Sequence, residues 1–278
     1  MGGIGVAYPF RLHGRNVIVT GASGGLGRAM TLRLIRHYGC RVLGIARSRE
    51  KLEAVARELG EYGHQFEYMI MDVSVRESWK ALAEYVRSGG FDADVIINNA
   101  GILPEFAKFG MYSPEETERC MALNLNSVIW AAEEFIPVFE RKTGTAIINI
   151  SSSDALCPLA GTSLYSASKA AVKALSEAMR EEYRGRIYIP AVCPGFIRTD
   201  IMRGQRHDVS PAVRFVSMPP EKAARIILGR ADRRRSRIVL GFDAHFMSAA
   251  YRIAPVWSVR FFRLVFRVSG LVLFKDIF

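Results

Sequence analysis

The sequence predicts an α/β fold built on a doubly wound parallel sheet, and three observations carry that prediction. Short β-branched runs alternate with longer amphipathic stretches from residue 16 to residue 241. The first run is followed directly by a glycine turn that opens a helical pattern. No internal repeat, low-complexity tract or Pro/Gly-rich linker divides the 278 residues. The chain therefore reads as a single domain, 1–278, with 242–278 as a C-terminal extension.

The elements follow in order. Asn16-Val17-Ile18-Val19-Thr20 is the first strand, a run suited to burial on both faces. Gly21, Ser23, Gly25, Leu26 and Gly27 form the turn after it, and Met30, Leu32, Leu34 and Ile35 continue as a helix. Strand, glycine turn and helix aim backbone N–H groups and a helix N-terminus at a pyrophosphate, where a Cβ would block the approach. The spacing G-x-x-x-G-x-G departs from the general dinucleotide fingerprint. The second strand, 41–46, ends in Ala46-Arg47-Ser48-Arg49, with no carboxylate before Glu50 and a helix over 50–59. An acidic residue at this place would accept from both ribose hydroxyls; a guanidinium instead suits a 2′-phosphate. The expected cofactor is therefore NADP(H), with Arg47 and Ser48 at its ribose phosphate.

Further strands are expected at 66–71, 94–97, 145–150, 187–193 and 237–241, each with a polar or glycine-bearing segment at or near its end. Asp72-Val73 follows the third strand and Asn98-Asn99-Ala100-Gly101 the fourth. Asn124 lies in a long helical stretch after Pro114, and Ser151-Ser152-Ser153 ends the fifth strand. Tyr165 and Lys169 share one helix face at i, i+4, and Pro194-Gly195 is followed four residues later by Thr199.

In this combination and order the chain resembles the short-chain dehydrogenase/reductase family, over residues 16 to about 200. The resemblance implies that Asp72 and Val73 meet the adenine, and that Asn99, Ala100 and Gly101 lie beside the cofactor. It implies that Pro194, Gly195 and Thr199 approach the nicotinamide carboxamide. It also implies a catalytic set of Asn124, Ser152, Tyr165 and Lys169, with Tyr165 and Lys169 touching the cofactor as well. Sequence alone does not choose among the three serines; the family spacing of 13 residues before the tyrosine selects Ser152. Asn124 would hold a water joining Lys169 to solvent. Family members are dimers or tetramers through helices here at about 114–142 and 164–184, so a homo-oligomer is expected.

The chemistry stands beside that resemblance. Interconverting a ketone and a secondary alcohol requires a hydride carrier and a group that exchanges a proton with the oxygen. A tyrosine near pKa 10 is a poor base at neutral pH, and the Lys169 ammonium would favour its phenolate. A serine hydroxyl can donate to the substrate oxygen. A protein that only senses NADP(H), without turnover, would not need Tyr165, Lys169, Ser152 and Asn124 together.

Cys40, Cys120, Cys157 and Cys193 are scattered, with no paired metal spacing, and fit a reducing compartment; no metal is expected. Met1–Phe10 lacks a basic, signal-like start, and Val6 breaks the myristoylation pattern after Gly2, so the expected location is cytoplasmic. The net charge of +11 includes a run of arginines at 230–237, without the motifs or aromatic array of a nucleic-acid binder, and no nucleic-acid partner is expected. The stretch 256–268 sets Arg260, Arg263 and Arg267 within about 60° on an otherwise apolar helix. It suits peripheral membrane association, or else packing on the domain or on a partner subunit; the arginines rule out a spanning helix. The segment 196–218 mixes Phe196, Ile197, Ile201, Met202, Phe215, Val216 and Met218 with Arg203, Arg206, His207 and Arg214. Its apolar members suit a lipophilic small molecule such as a steroid, bile acid or other lipid. A 3-oxoacyl thioester on an acidic carrier protein is the alternative.

Overall fold

Strand β1 (Asn16–Thr20) lies at the middle of an eight-stranded sheet in the computed structural model, which describes residues 10–199 and 217–268. β1 pairs in parallel with β2 (Arg41–Ala46) on one side and β4 (Val95–Asn98) on the other. β3 (Phe66–Ile70) extends the first side, and β5 (Thr145–Ile150), β7 (Ala191–Pro194) and β8 (Arg237–Leu240) extend the second. Every pairing is parallel. The order 3-2-1-4-5-7-8 reverses direction between β1 and β4, which opens a crevice at their carboxyl ends.

Alternation along the strands builds two cores. Val17, Val19, Val95, Ile97, Ala146 and Ile148 face helices α1 (Gly25–Tyr38), α2 (Arg49–Leu59) and α7 (Pro220–Asp232). Ile18, Ile96 and Ile147 face α3 (Arg76–Arg87) and α5 (Ser127–Phe139) on the opposite side. Burial on both faces explains why these strands read as unbroken apolar runs. Trp79 of α3 is fully buried and donates its indole N–H to the Val73 carbonyl at 2.9 Å, which ties the end of β3 to the second core.

One expected strand is divided. The run 187–193 appears as β6 (Ile187–Tyr188) and β7, with Ile189 and Pro190 between them. Pro190 has no N–H for a ladder, yet its carbonyl still accepts from Asn149 N at 3.2 Å. α4 (Pro114–Met121) starts with a reciprocal cap: Glu116 N donates to Ser113 Oγ at 3.1 Å and Ser113 N to Glu116 Oε2 at 2.9 Å. It passes into α5 through a π-turn over Ala122–Asn126. α6 (Ser163–Glu182) packs behind β5 and β7.

After β8 the chain forms α8 (Phe242–Ile253) and α9 (Pro255–Val268). Asp243 anchors this extension: its carboxylate accepts from Phe196 N at 2.7 Å and occupies the space that a Cβ on Gly195 would need. Met247 and Phe262 pack with Cys157 and Leu159 in a small separate core.

Candidate active site

The crevice between β1 and β4 opens into a cavity of about 750 Å3. Gly21, Ser23, Gly25 and Leu26 line its floor, and Gly21 and Gly25 adopt positive φ of 67° and 51°. Thr199 closes over this turn: a Cβ on Gly25 would stand 3.0 Å from its side chain. Gly27 does not line the cavity. It lies against the turn itself, where a Cβ would overlap the Gly21 carbonyl and the Asn99 amide. Gly27→Ala should therefore lower stability by about 1–3 kcal/mol through overpacking. A melting curve superimposable on the wild type would contradict this.

The turn is held to β4 by Thr20. Its hydroxyl donates to the Ile97 carbonyl at 3.3 Å and accepts from Asn99 N and Ala100 N at 2.9 and 3.0 Å. Asn99 Nδ2 donates to the Thr20 carbonyl at 2.9 Å. Asn99, Ala100 and Gly101 consequently form one wall of the cavity. At its far end lie Ala46, Arg47, Asp72 and Val73, together with Arg28 and Lys51, two cations the sequence reading had not singled out. Ser48 is the N-cap of α2, accepting from Lys51 N at 3.3 Å, and does not line the cavity. Burial alone would raise the Asp72 carboxyl. Hydrogen bonds from Ser74 N and Oγ, at 2.9 and 2.6 Å, and the Arg47 charge hold it below its usual value.

At the other end, β5 and α6 bring Ser152, Tyr165 and Lys169 together on the cavity wall. The three adjacent serines now separate. Ser151 donates to the Lys169 carbonyl at 2.7 Å, Ser153 begins a 3₁₀ turn, and Ser152 is the serine that acts on the Tyr165 phenol, pulling its pKa down. Lys169 is buried beneath, 5.9 Å from the Tyr165 ring centroid, and donates to the Ile150 carbonyl at 3.0 Å. Burial lowers the Lys169 ammonium to about 8. The Tyr165 ring is partly exposed, but protein packed around the phenol raises its pKa. Asp154 raises it further, while Ser152 acts the other way. Burial and Asp154 together favour the protonated phenol.

Asn124 sits in the π-turn behind Gly101. Its Oδ1 accepts from Ile102 N at 2.8 Å, and its Nδ2 donates to the Ile102 carbonyl at 2.9 Å and lies 3.2 Å from Ser168 Oγ. The amide is thus committed to holding the 101–102 backbone. Gly101 leaves the space between Asn124 and Lys169 open: a Cβ there would stand 3.0 Å from Asn124 Oδ1 and 3.3 Å from Lys169 Nζ.

Asp154 is the site residue that motif reading missed. It is almost wholly buried, and Thr162 Oγ1 donates to its Oδ2 at 2.8 Å. Ser152 Oγ lies 3.4 Å from its Oδ1 and accepts from its N–H at 3.2 Å. Burial raises its carboxyl to about 6, against the pull of these hydroxyls. The available signal was a carboxylate two residues after Ser152, in a segment otherwise small and apolar. Pro194 and Gly195 complete the wall beside Phe196, Ile197, Leu103, Phe106 and Leu159. Ile201, Met202, Arg203, Arg206, His207, Arg214, Phe215 and Val216 lie outside the described residues.

The glycine cradle, the Arg47 end and the buried Lys169 fit an NAD(P) dinucleotide, which these residues would hold. Comparison with known proteins agrees. The family model for short chain dehydrogenases matches residues 15–210. A 3beta-hydroxysteroid dehydrogenase 2 of Eggerthella lenta is 32% identical over 197 residues, covering 70% of this chain and 75% of that protein. A 3-oxoacyl-[acyl-carrier-protein] reductase of Thermotoga maritima is 30% identical over 84% of this chain and 98% of its own. A short-chain dehydrogenase from Sphingobium yanoikuyae, solved with NADPH, superposes with a TM-score of 0.75 at 28% identity, over 88% of this chain and 95% of that one. The chain belongs to the short-chain dehydrogenase family of oxidoreductases.

Proposed function

We propose that this protein interconverts a secondary alcohol and a ketone on a lipophilic substrate, using NADP(H). The observation that carries this reading is the convergence of the Ser152 and Tyr165 hydroxyls on one cavity wall, above the buried Lys169 and beside the glycine cradle. When bound, the dinucleotide supplies or accepts the hydride. Ser152 orients the substrate oxygen by hydrogen bonding, and Tyr165 exchanges the proton with it. Lys169 holds the ribose and, once its charge is drawn toward the phenol, stabilises the phenolate. Asn124 keeps the 101–102 backbone in place on the cavity wall.

Lipophilicity is supported by the apolar side of the cavity, formed by Leu103, Phe106, Leu159, Phe196 and Ile197. The hydroxysteroid dehydrogenase relative points the same way. The acyl-carrier-protein reductase relative and the net charge of +11 favour the second reading, a 3-oxoacyl thioester on an acidic carrier. Reduction of a ketosteroid but not of a 3-oxoacyl thioester would separate them.

NADP(H) preference is supported by Arg47, Arg28 and Lys51 around the end of β2, where no carboxylate lines the cavity until Asp72, just past the next strand. Arg28 is also paired with Glu58, which fixes it across the α1–α2 seam. Arg47→Ala should weaken NADPH binding by about 1.5–3 kcal/mol, the scale of a hydrogen bond to a charged group, and leave NADH binding nearly unchanged. Titration of both cofactors by fluorescence checks this; an equal loss for both would remove the assignment.

A further inference from the structure

Helices α8 and α9 carry a surface that the site does not use. Phe242, Phe246 and Phe261 form a continuous aromatic array across the two helices, with centroid separations of 6.3 Å, and are 87%, 45% and 48% exposed. Along α9, at about 100° per residue, Trp257, Phe261, Leu264 and Val265 span an arc of about 100°. Trp257 and Leu264 are 71% and 56% exposed. Arg260, Arg263 and Arg267 occupy an arc of about 60° on one flank of that stripe. Ser258 and Phe262, both buried, lie on the other flank and face the body of the protein. The apolar residues of α9 are thus divided: one side packs inward and the larger side faces out.

We propose that this outward face docks on an anionic phospholipid bilayer, with α9 lying in the plane of the interface. An apolar stripe flanked by arginines suits a helix seated at the headgroup boundary, its side chains in the acyl region and its cations on lipid phosphates. The Arg260 guanidinium rests over the Trp257 ring at 6.0 Å, which joins the two chemistries at one point. No carboxylate occurs between Ala244 and Val268, whereas Arg252, Arg260, Arg263 and Arg267 do. A second copy is a poorer occupant for this reason. A two-fold interface sets the same patch against itself, and here that would bring Arg260 and Arg267 of the two copies together on a segment, 244–268, whose sequence supplies no carboxylate. Among the described residues no helix is long and apolar enough to cross a membrane, so the contact is peripheral.

The surface is built onto the cavity wall. Leu159 lines the cavity and packs against Met247 and Phe262. Asp243 at the start of α8 holds Phe196, another lining residue. Docking would therefore set the apolar side of the cavity close to the bilayer, from which a lipophilic substrate could reach it. That consequence rests on the substrate reading above, but the docking itself does not.

The test is co-sedimentation of the full chain with phosphatidylcholine vesicles, with and without added phosphatidylglycerol, in the absence of any substrate. We expect binding to the anionic vesicles, weakening with salt. A blue shift in tryptophan emission should accompany it, since Trp79 is buried, Trp130 half-buried and Trp257 exposed. Replacing Arg260, Arg263 and Arg267 together by Gln should lower the partition coefficient about a hundredfold, at roughly fivefold per cation. The combined Trp257→Ser, Phe261→Ser and Leu264→Ser variant should lose both binding and blue shift while keeping the wild-type mass. Wild-type protein remaining in the supernatant with anionic vesicles at low salt overturns the proposal. So does a serine variant whose scattering mass falls while vesicle binding is unchanged, since that identifies the face as a subunit contact. Failure to reduce any lipophilic ketone would instead count against the substrate reading and leave vesicle binding as it was.

Discussion

Tyr165→Phe is expected to lower turnover by between about a hundredfold and ten-thousandfold, the range for loss of a positioned proton donor, while NADPH binding stays within about twofold. The change removes one oxygen from a ring whose other contacts remain. Ser152 keeps its contacts with Asp154. Lys169 keeps its bond to the Ile150 carbonyl, so the surface proposed to hold the ribose is undisturbed. Turnover should therefore fall in kcat, with little change in the cofactor dissociation constant. Stopped-flow measurement of NADPH oxidation, alongside a fluorescence titration, separates the two. A variant with near-wild-type kcat would show that another group handles the proton.

Asp154→Asn is expected to stabilise the protein above pH 6 and to shift the oxidation reaction to lower pH. The sign follows from burial. The carboxyl titrates at about 6 in the fold and near 3.9 when unfolded, so the folded chain holds this proton more tightly. Stability then falls as pH rises from about 4 to 6 and stays lower above, by roughly 3 kcal/mol for a shift of about two units. Asparagine keeps an acceptor for the Thr162 hydroxyl and removes the charge. Its melting temperature should exceed the wild type's at pH 7.5 and converge with it near pH 4. The same carboxylate raises the Tyr165 phenol. Its removal should therefore move the ascending limb of alcohol oxidation, where activity rises with pH, to lower pH. A melting difference independent of pH, or an unmoved oxidation limb, would contradict this role.

The parts of this protein that sequence patterns revealed are those governed by local chemistry. β1, β2 and β5 are β-branched runs buried on both faces, and the structure has them at the expected bounds. The glycine turn was legible because backbone geometry demands glycine at positions such as Gly21 and Gly25. Tyr165 and Lys169 were legible because four residues bring two side chains to one helix face. What escaped depends on packing. The interruption at Ile189-Pro190 is set by which neighbour each half of the strand pairs with: β6 meets β5 alone, while β7 meets both β5 and β8. The assignment of the Asn124 amide to Ile102 requires the π-turn, which no residue periodicity announces. Asp154 gains its importance from being enclosed by Thr162 and Ser166 of a later segment. The division of α9 into an inward and an outward side required knowing where Cys157 and Leu159 lie.

NADPH consumption by the purified protein, measured with a ketosteroid, a 3-oxoacyl thioester and a small water-soluble ketone, each beside Tyr165→Phe, tests this function directly. The ketosteroid should be reduced fastest, NADH should be a poorer donor, and Tyr165→Phe should consume NADPH at least about a hundredfold more slowly with every ketone. Tight NADPH binding without consumption in any mixture, or near-wild-type consumption without the Tyr165 hydroxyl, would contradict this function.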